Sequence, residues 1–403
     1  MDETPVLPHR DKLLRHRRLA LAVADVNWFT TEHLFREVSP ERAETLLIKC
    51  VDYNNAWRSG RPPWAWGRPL SLDAPGRWGR DLVLPSGWMK SFPRLGMRPI
   101  ARAIHRWRDR HAADECLTLV MTYPHYLYLR DLVRPERLVY FNVDDYAQYW
   151  PRHAREVNRL ELRAVRDADL TLCVSVVRAE TLRRAVPEAA DRIHHLPHGT
   201  PSSAHSPAPC HRPAPPPPAL AALPRPLLGY VGTMEDRVDW PLLIRLAEAM
   251  PEASVVLVGR VDDRGSERGW RADRARCLVL PNVHGIGWQP QEMIPGLNRS
   301  FDVGLIPYRV DHPFNRVCCP TKIMDTMATG RPIVSTKLPE TSLYIDLFDV
   351  ARDTEEFIAA VQRIVAGGSD DGRAGARHEW AADHTCRRVV DRLLDWIPGR
   401  TSD

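Results

Sequence analysis

The chain has 403 residues and a formal net charge of +5, too long for one ordinary hydrophobic core and long enough for two. Its basic side is almost all arginine, with lysine only at 12, 49, 90, 322 and 337 and proline at 36 positions. This reads as the coding bias of a GC-rich genome and not as a nucleic-acid surface, since no RNP, zinc-finger or helix-turn-helix signature is present.

The N-terminus begins with charged residues, and its only early apolar run, LALAVADV at 19–26, is too short for a signal-peptide core or a membrane span. The expectation is a soluble protein, at most membrane-peripheral. Apolar runs then alternate with helical patterns: TLLIKCV at 45–51, TLVMTY at 118–123, RLVYFNV at 137–143 and LTLCVS at 170–175. Between the second and third of these, residues 52–95 break the rhythm with NNAWRSGRPPWAWGRPL and RWGRDLVLPSGWMK. That stretch reads either as a long irregular loop or as a surface for an acceptor or a membrane interface, because tryptophan with arginine suits both.

Residues 201–226, PSSAHSPAPCHRPAPPPPALAALPRP, are expected to form a semi-rigid spacer. Beyond them the rhythm resumes with LLGYVG (227–232), SVVLVGR (254–260), VGLIPY (303–308) and PIVST (332–336). Continuous apolar strands separated by amphipathic helices predict parallel sheets covered on both faces. The fold class is therefore α/β with two doubly wound domains, whose ligands sit beyond the carboxyl ends of the strands. The eight cysteines show no C-x-x-C pair or metal-ligand spacing and read as free thiols of a reducing cytosol.

The second domain carries the stronger chemistry. GYVGT at 229–233 puts glycines at a strand-to-loop junction, where a ligand can approach the backbone and the amides can face an anion. Arg237 adds a positive charge nearby, against the plain reading of a solvated loop arginine. In PTKIMDTMATGRPIV (320–334), Pro320 and Thr321 suit a helix start and Gly330 its left-handed end. Lys322 then lies against the positive end of the helix dipole, where an acid would be favoured. A phosphate at that point makes the placement sensible, with Asp325 on the same face accepting from sugar hydroxyls. The plain alternative is a surface ion pair between the two.

The segments GYVGTMEDRVDWPLL, SVVLVGR, NVHGIGWQPQEMIPGLNRSFDVGLIPY and NRVCCPTKIMDTMATGRPIVST, in that order, resemble the donor domain of a GT-B glycosyltransferase. The likeness is to the retaining family 4 group (glycosyl transferases group 1), especially its branch with P-x-K-x-x-E-x-x-A-x-G. A looser likeness runs through LVYFNVDDY (138–146), RLELRAVRDADLTLCVS (159–175), HHLPHGT (194–200) and HEWAADHTCRRVVDRLLDWI (378–397).

The resemblance implies two Rossmann-like domains facing a cleft: an acceptor-side domain over 1–205, a linker over 206–226, a nucleotide-sugar domain over 227–375, and a last helix within 376–403 crossing back. It implies transfer of a sugar from a nucleotide-diphosphate sugar to a hydroxyl of a glycan, a lipid-linked glycan or a small metabolite. Cofactor and metal are not expected, and the location is the cytoplasm, with peripheral association at the inner membrane face if the acceptor is lipid-linked. Arg237 and Lys322 would bind the diphosphate, and Gly232 and Thr233 would face it. Asp325 would take the ribose hydroxyls, Gly287, Trp288 and Gln289 would lie near the base, and Asn315 through Pro320 and Thr321 would wrap the donor sugar and phosphates. The family's glutamate is replaced by the shorter Asp325, and Val317 stands where the wider family often has another glutamate, which leaves donor identity open.

On the acceptor side, His125 after TLVMTYP and Asp144 and Asp145 after RLVYFN are candidates to position or deprotonate the acceptor hydroxyl, against ordinary turn and cap roles. In a retaining mechanism the leaving phosphate itself can take that proton. The adjacent pairs Asp144–Asp145 and Asp262–Asp263 are read as loop carboxylates, not as a metal-binding D-x-D motif. Two other function classes stay in view: a nucleotide-sugar epimerase, and a non-catalytic nucleotide-sugar-binding protein.

Overall fold

A computed structural model describes residues 18–60, 62–88, 92–263 and 269–397. The charged N-terminal stretch up to residue 17 and the end of the tryptophan-rich stretch at 89–91 lie outside them. The run at 19–26 forms β1 (Leu19–Ala24), with Ala20 to Ala24 fully buried. The same sheet holds β2 (Ala43–Asp52), β3 (Arg68–Ala74), β4 (Arg77–Leu84), β5 (Cys116–Met121), β6 (Arg137–Asn142), β7 (Leu170–Cys173) and β8 (Ile193–His195), in the order β3-β4-β2-β1-β5-β6-β7-β8. All its neighbours are parallel except β3 and β4, which are antiparallel.

A second sheet is parallel throughout. It is built from β9 (Leu227–Val231), β10 (Ser254–Val258), β11 (Val283–Gly287), β12 (Val303–Ile306), β13 (Ile333–Thr336) and β14 (Asp349–Ala351), in the order β11-β10-β9-β12-β13-β14.

Helices cover these sheets for the expected reason. In Arg98–His111 the apolar positions Ile100, Ala101, Ile104 and Trp107 recur at helical spacing and are buried, and burying an isoleucine contributes about 1.5–3 kcal/mol. Helix Trp240–Ala249 starts where Asp239 accepts from the Leu242 amide at 3.0 Å, filling one of the orphan donors of a helix start.

The chain divides into two units. One comprises residues 1–174, 178–196 and 389–403, and the other residues 175–177 and 197–388. The last helix, Cys386–Trp396, begins in the second unit, and from Val389 onward it belongs to the first. There Arg42 pairs with Asp391 at 3.4 Å and Asp395 at 2.7 Å, and Trp396 stacks on His194 with ring centroids 5.0 Å apart.

The proline-rich segment differs from the spacer expected of it: it is packed as part of the second unit. Ser206, Cys210 and Ala214 donate their amides to Ala328, Thr329 and Arg299, and Leu220 is fully buried in a cluster with Leu227, Val256 and Phe301. Proline lacks an N–H, which bars such a segment from a sheet ladder, but an arginine can hold it by the carbonyls of the residues between its prolines. Arg331, fully buried, does so. It donates to Cys210 O at 3.2 Å and His211 O at 2.9 Å, and to the carbonyls of Phe301, Asp302 and Ser369 at 2.9 Å each. Burial lowers its pKa to about 10, with the Asp302 charge partly opposing.

The stretch 52–95 is not an irregular loop throughout, since it contains the β3–β4 hairpin. Its tryptophans divide. Trp78 stacks on His111 at 3.7 Å and donates to Glu44, and Trp88 is buried. Trp57 and Trp64 are exposed.

Candidate active site

In the second sheet β9 has β10 on one side and β12 on the other, so the strand order reverses between β9 and β12. Ligand sites of doubly wound sheets form at such a point. Gly232 and Thr233 follow β9, and Tyr308 follows β12. Lys322 opens the helix Lys322–Met327, and its ammonium donates to the Tyr308 hydroxyl. It lies 4.4 Å from the Tyr308 ring centroid and 4.8 Å from that of Tyr230, within cation–π range. An ammonium has three donors, and among the described residues this hydroxyl is the one side-chain acceptor Lys322 uses.

Glycine is required at two neighbouring positions for different reasons. A Cβ on Gly232 would fall 2.8 Å from the Lys322 ammonium and 2.9 Å from the Tyr230 hydroxyl, both ends of side chains. A Cβ on Gly259 would fall 1.9 Å from the Gly232 carbonyl oxygen, and its φ is +149°. Gly232→Ala is therefore expected to keep the melting temperature nearly unchanged while weakening nucleotide binding about tenfold or more, by displacing the ammonium. Gly259→Ala is expected to cost roughly 1–3 kcal/mol of stability. Thermal unfolding and nucleotide titration of the two variants check both expectations, and equal behaviour would contradict them.

Arg237 is also held against Tyr308, with its guanidinium 5.7 Å from that ring and 4.5 Å from the ring of Phe314, while Nε donates to Glu235 at 2.6 Å. Burial works against its charge, but Tyr308 and Glu235 outweigh burial and hold its pKa above the usual arginine range. It is a fixed cation.

Asn315, expected to wrap the donor sugar and phosphates, lies under the backbone of Arg237. It is fully buried, and its Nδ2 donates to Arg237 O at 3.0 Å and Arg309 O at 2.9 Å. It sets the backbone that carries Arg237. Pro320 is buried and Thr321 exposed. Thr321 makes no side-chain cap, because its own backbone is already helical (φ −58°, ψ −29°) and a capping residue needs an extended one.

Asp325 is half-buried and makes no ion pair with Lys322 among the described residues, so the surface-pair reading fails. Burial raises its carboxyl pKa to about 6, with Lys322 partly opposing.

Gly287 ends β11 at φ +72°, and its carbonyl accepts from the Gly259 amide at 2.9 Å, as Val258 accepts from Gly232 at 2.8 Å. The three glycines thus lie side by side across three strand ends. Trp288 is exposed, with the Arg260 guanidinium 5.1 Å from its ring, and Gln289 donates to Ile286 O at 3.3 Å.

The remaining expected residues belong to the first unit. His125 is buried edge-on to Trp150, centroids 5.0 Å apart. Asp144 accepts from the Asp145 amide at 3.0 Å and the Tyr149 hydroxyl at 2.6 Å. Asp145 caps the helix Tyr146–Tyr149 and lies 3.8 Å from Arg178. Both aspartates thus hold turn and cap positions. Asp263 is taken by Arg274 at 2.6 Å.

Sequence reasoning missed Tyr230, Tyr308 and Gly259; the G-R ending of SVVLVGR was the available signal for the last. It also missed Asp25, which follows β1 at the reversal between β1 and β5. Asp25 is buried and accepts from Tyr126 and from Asn27, and burial raises its pKa to about 6.

Residues 225–366 match the family model of the glycosyl transferases group 1. The chain is also similar to the putative teichuronic acid biosynthesis glycosyltransferase TuaH of Bacillus subtilis (strain 168), 23% identical over 244 residues, or 60% of this chain. It spans 57% of that relative's length.

Among solved structures it is similar to HepE of Anabaena in complex with UDP and glucose, with TM-score 0.63 and 13% identity, covering 94% of this chain and 100% of HepE. It is likewise similar to the sucrose-phosphate synthase of Thermosynechococcus elongatus, with TM-score 0.67 and 16% identity, covering 94% of this chain and 98% of that one. At these identities the likeness is one of fold: two Rossmann-like α/β domains with parallel sheets, the GT-B architecture expected from the sequence. No helix among the described residues is long and apolar enough to cross a membrane.

Proposed function

We propose that the chain is a glycosyltransferase that moves a sugar from a nucleotide-diphosphate sugar to a hydroxyl acceptor. The observation that carries this reading is the Lys322 ammonium beside Gly232 at the strand-order reversal of the second sheet, within the segment that matches the glycosyl transferases group 1.

In the step we infer, the bond from the sugar's anomeric carbon to the donor phosphate oxygen breaks, and its electron pair leaves with the diphosphate. Lys322 and Arg237 are preorganised cations for that charge. The acceptor oxygen bonds the same carbon, and its proton passes to the departing phosphate oxygen, the retaining course. The role asked of a divalent ion elsewhere falls here to the two side chains. Asp325 accepts from the ribose hydroxyls, and the Gly287–Gln289 turn receives the base. The acceptor is a glycan, lipid-linked glycan or small metabolite, with His125, Asp144 and Asp145 as its first-unit candidates. HepE was solved with UDP and with UDP-glucose, which makes UDP the first nucleotide to try.

Calorimetric titration of UDP, GDP and TDP with a chelator present tests the reading. Tight binding of one of them is expected; binding of none by a folded sample would refute it. Because Asp325 titrates near 6, affinity for uridine, which carries no phosphate of its own to titrate, is expected to fall as the pH drops from 7.5 to 5. The carboxyl gains a proton over that range and loses acceptor capacity. In Asp325→Asn the pH dependence should be gone.

A further inference from the structure

We infer that the outward face of helix Arg98–His111, with the apolar turn ahead of it, docks on an anionic lipid surface. The inner face of this helix is occupied by the core. Its outer face carries Arg98, Arg102, Arg106 and Arg110, all exposed, and among the described residues none of the four has an ion-pair or hydrogen-bond partner for its side chain.

Several helix arginines elsewhere are tied to acids: Arg36 to Glu32 at 2.6 Å, Arg184 to Glu180 at 3.2 Å, Arg276 to Glu248 at 3.2 Å and Arg388 to Asp383 at 2.7 Å. Within Arg98–His111 the one acid is Asp109. Arg98, Arg102 and Arg106 follow at four-residue spacing, a row about 12 Å long at 1.5 Å per residue. Such a row has no paired counter-charge among the described residues and suits one outside the protein.

Apolar side chains at the head of this row select lipid over a soluble polyanion. Phe92 is 67% exposed and Leu95 57%, immediately before the helix. The connection after β2 adds exposed Trp57, on the short helix Tyr53–Arg58, and Trp64, on the turn Pro63–Ala65, edge-on to each other at 5.9 Å. It leaves beside the loop after β4: Asp52 pairs with Leu84, and the Asn54 amide donates to Ser86 Oγ at 3.0 Å. Cations beside exposed aromatic and aliphatic groups fit an interface where headgroups meet acyl chains. A nucleic acid or acidic protein would match the charge but leave these apolar groups in water.

The test is sedimentation of the full chain with vesicles of phosphatidylglycerol in phosphatidylcholine, and with phosphatidylcholine alone. Binding to the anionic vesicles at low salt, with release at high salt, is expected. Arg98→Gln/Arg102→Gln/Arg106→Gln should weaken it by about two orders of magnitude. Phe92→Ser/Leu95→Ser should weaken vesicle binding while leaving retention on heparin unchanged, which separates a lipid surface from a polyanion site. All five positions are exposed, and circular dichroism checks that the variants are folded. The inference is overturned by no binding at low salt, by equal binding to neutral vesicles, by an arginine variant that binds as before, or by a Phe92/Leu95 variant that binds vesicles as before. None of these readouts depends on glycosyl transfer.

Discussion

Lys322→Ala is expected to lower the rate of sugar transfer by about 10²–10³-fold, the usual cost of removing one preorganised donor to developing charge. The ammonium is positioned before any ligand arrives: Tyr308 accepts one of its protons, two tyrosine rings flank it, and Gly232 leaves the space beside it open. On the proposed reading that preorganisation serves the transition state, because charge on the departing diphosphate grows as the bond breaks. Ground-state binding of whichever nucleoside diphosphate the protein takes should weaken less, roughly 10- to 100-fold, in keeping with a charge-assisted hydrogen bond of about 1.5–3 kcal/mol. The two losses are separable by steady-state kinetics and calorimetry on the same preparation. A variant that retains transfer within about threefold would remove Lys322 from the chemistry, whatever the fold.

Arg331→Met should be the most destabilising single change on the second unit away from its site, at about 3 kcal/mol or more. The methionine fills much of the volume but leaves five carbonyl oxygens, on Cys210, His211, Phe301, Asp302 and Ser369, without the donor that satisfied them. Each such buried acceptor costs on the order of 1–3 kcal/mol, reduced where water reaches it. In a unit of this size the loss corresponds to a fall in melting temperature of roughly 6–12 °C. Arg331→Lys should recover little, since one ammonium cannot span segments that a planar guanidinium reaches from three nitrogens. Chemical denaturation of both variants checks this; a loss below about 1 kcal/mol for methionine would mean the proline-rich segment is held by its backbone amides and by Leu220 and its neighbours without need of the arginine.

The strands legible in the sequence were those with uninterrupted apolar runs, such as β1, β5, β9 and β10, because both faces of a central parallel strand must be buried. The others carried no such mark. β4 reads RWGRDLVL and lies near the sheet edge, β11 reads VHGIG, and β8 and β14 have three residues each. Lys322 stood out because its charge conflicts with the helix end it occupies, and Gly232 because a glycine at a strand end is conspicuous. Tyr308 and Tyr230 did not, since a tyrosine at a strand end is unremarkable until its ring is seen against an ammonium. The partners of Asn315 could not be read either: an asparagine's sequence position does not reveal which carbonyls its amide holds, here those of Arg237 and Arg309. The spacer expected over 206–226 failed because composition reports the missing amides of proline and not the buried arginine that collects the carbonyls of Cys210 and His211.

Because the first unit takes in residues from Val389 onward, the second unit is an insertion within it and not a sequel to it. During synthesis the first sheet emerges early, yet Arg42 and His194 find Asp391, Asp395 and Trp396 only after residues 197–388 have been made. Domains tend to fold as they emerge, so here the order is crossed: the unit begun second can be finished first. An exchange of the second unit between relatives would therefore be cut at two places, near 196 and near 389, and a chimaera joined only once would leave the first unit without its closing helix.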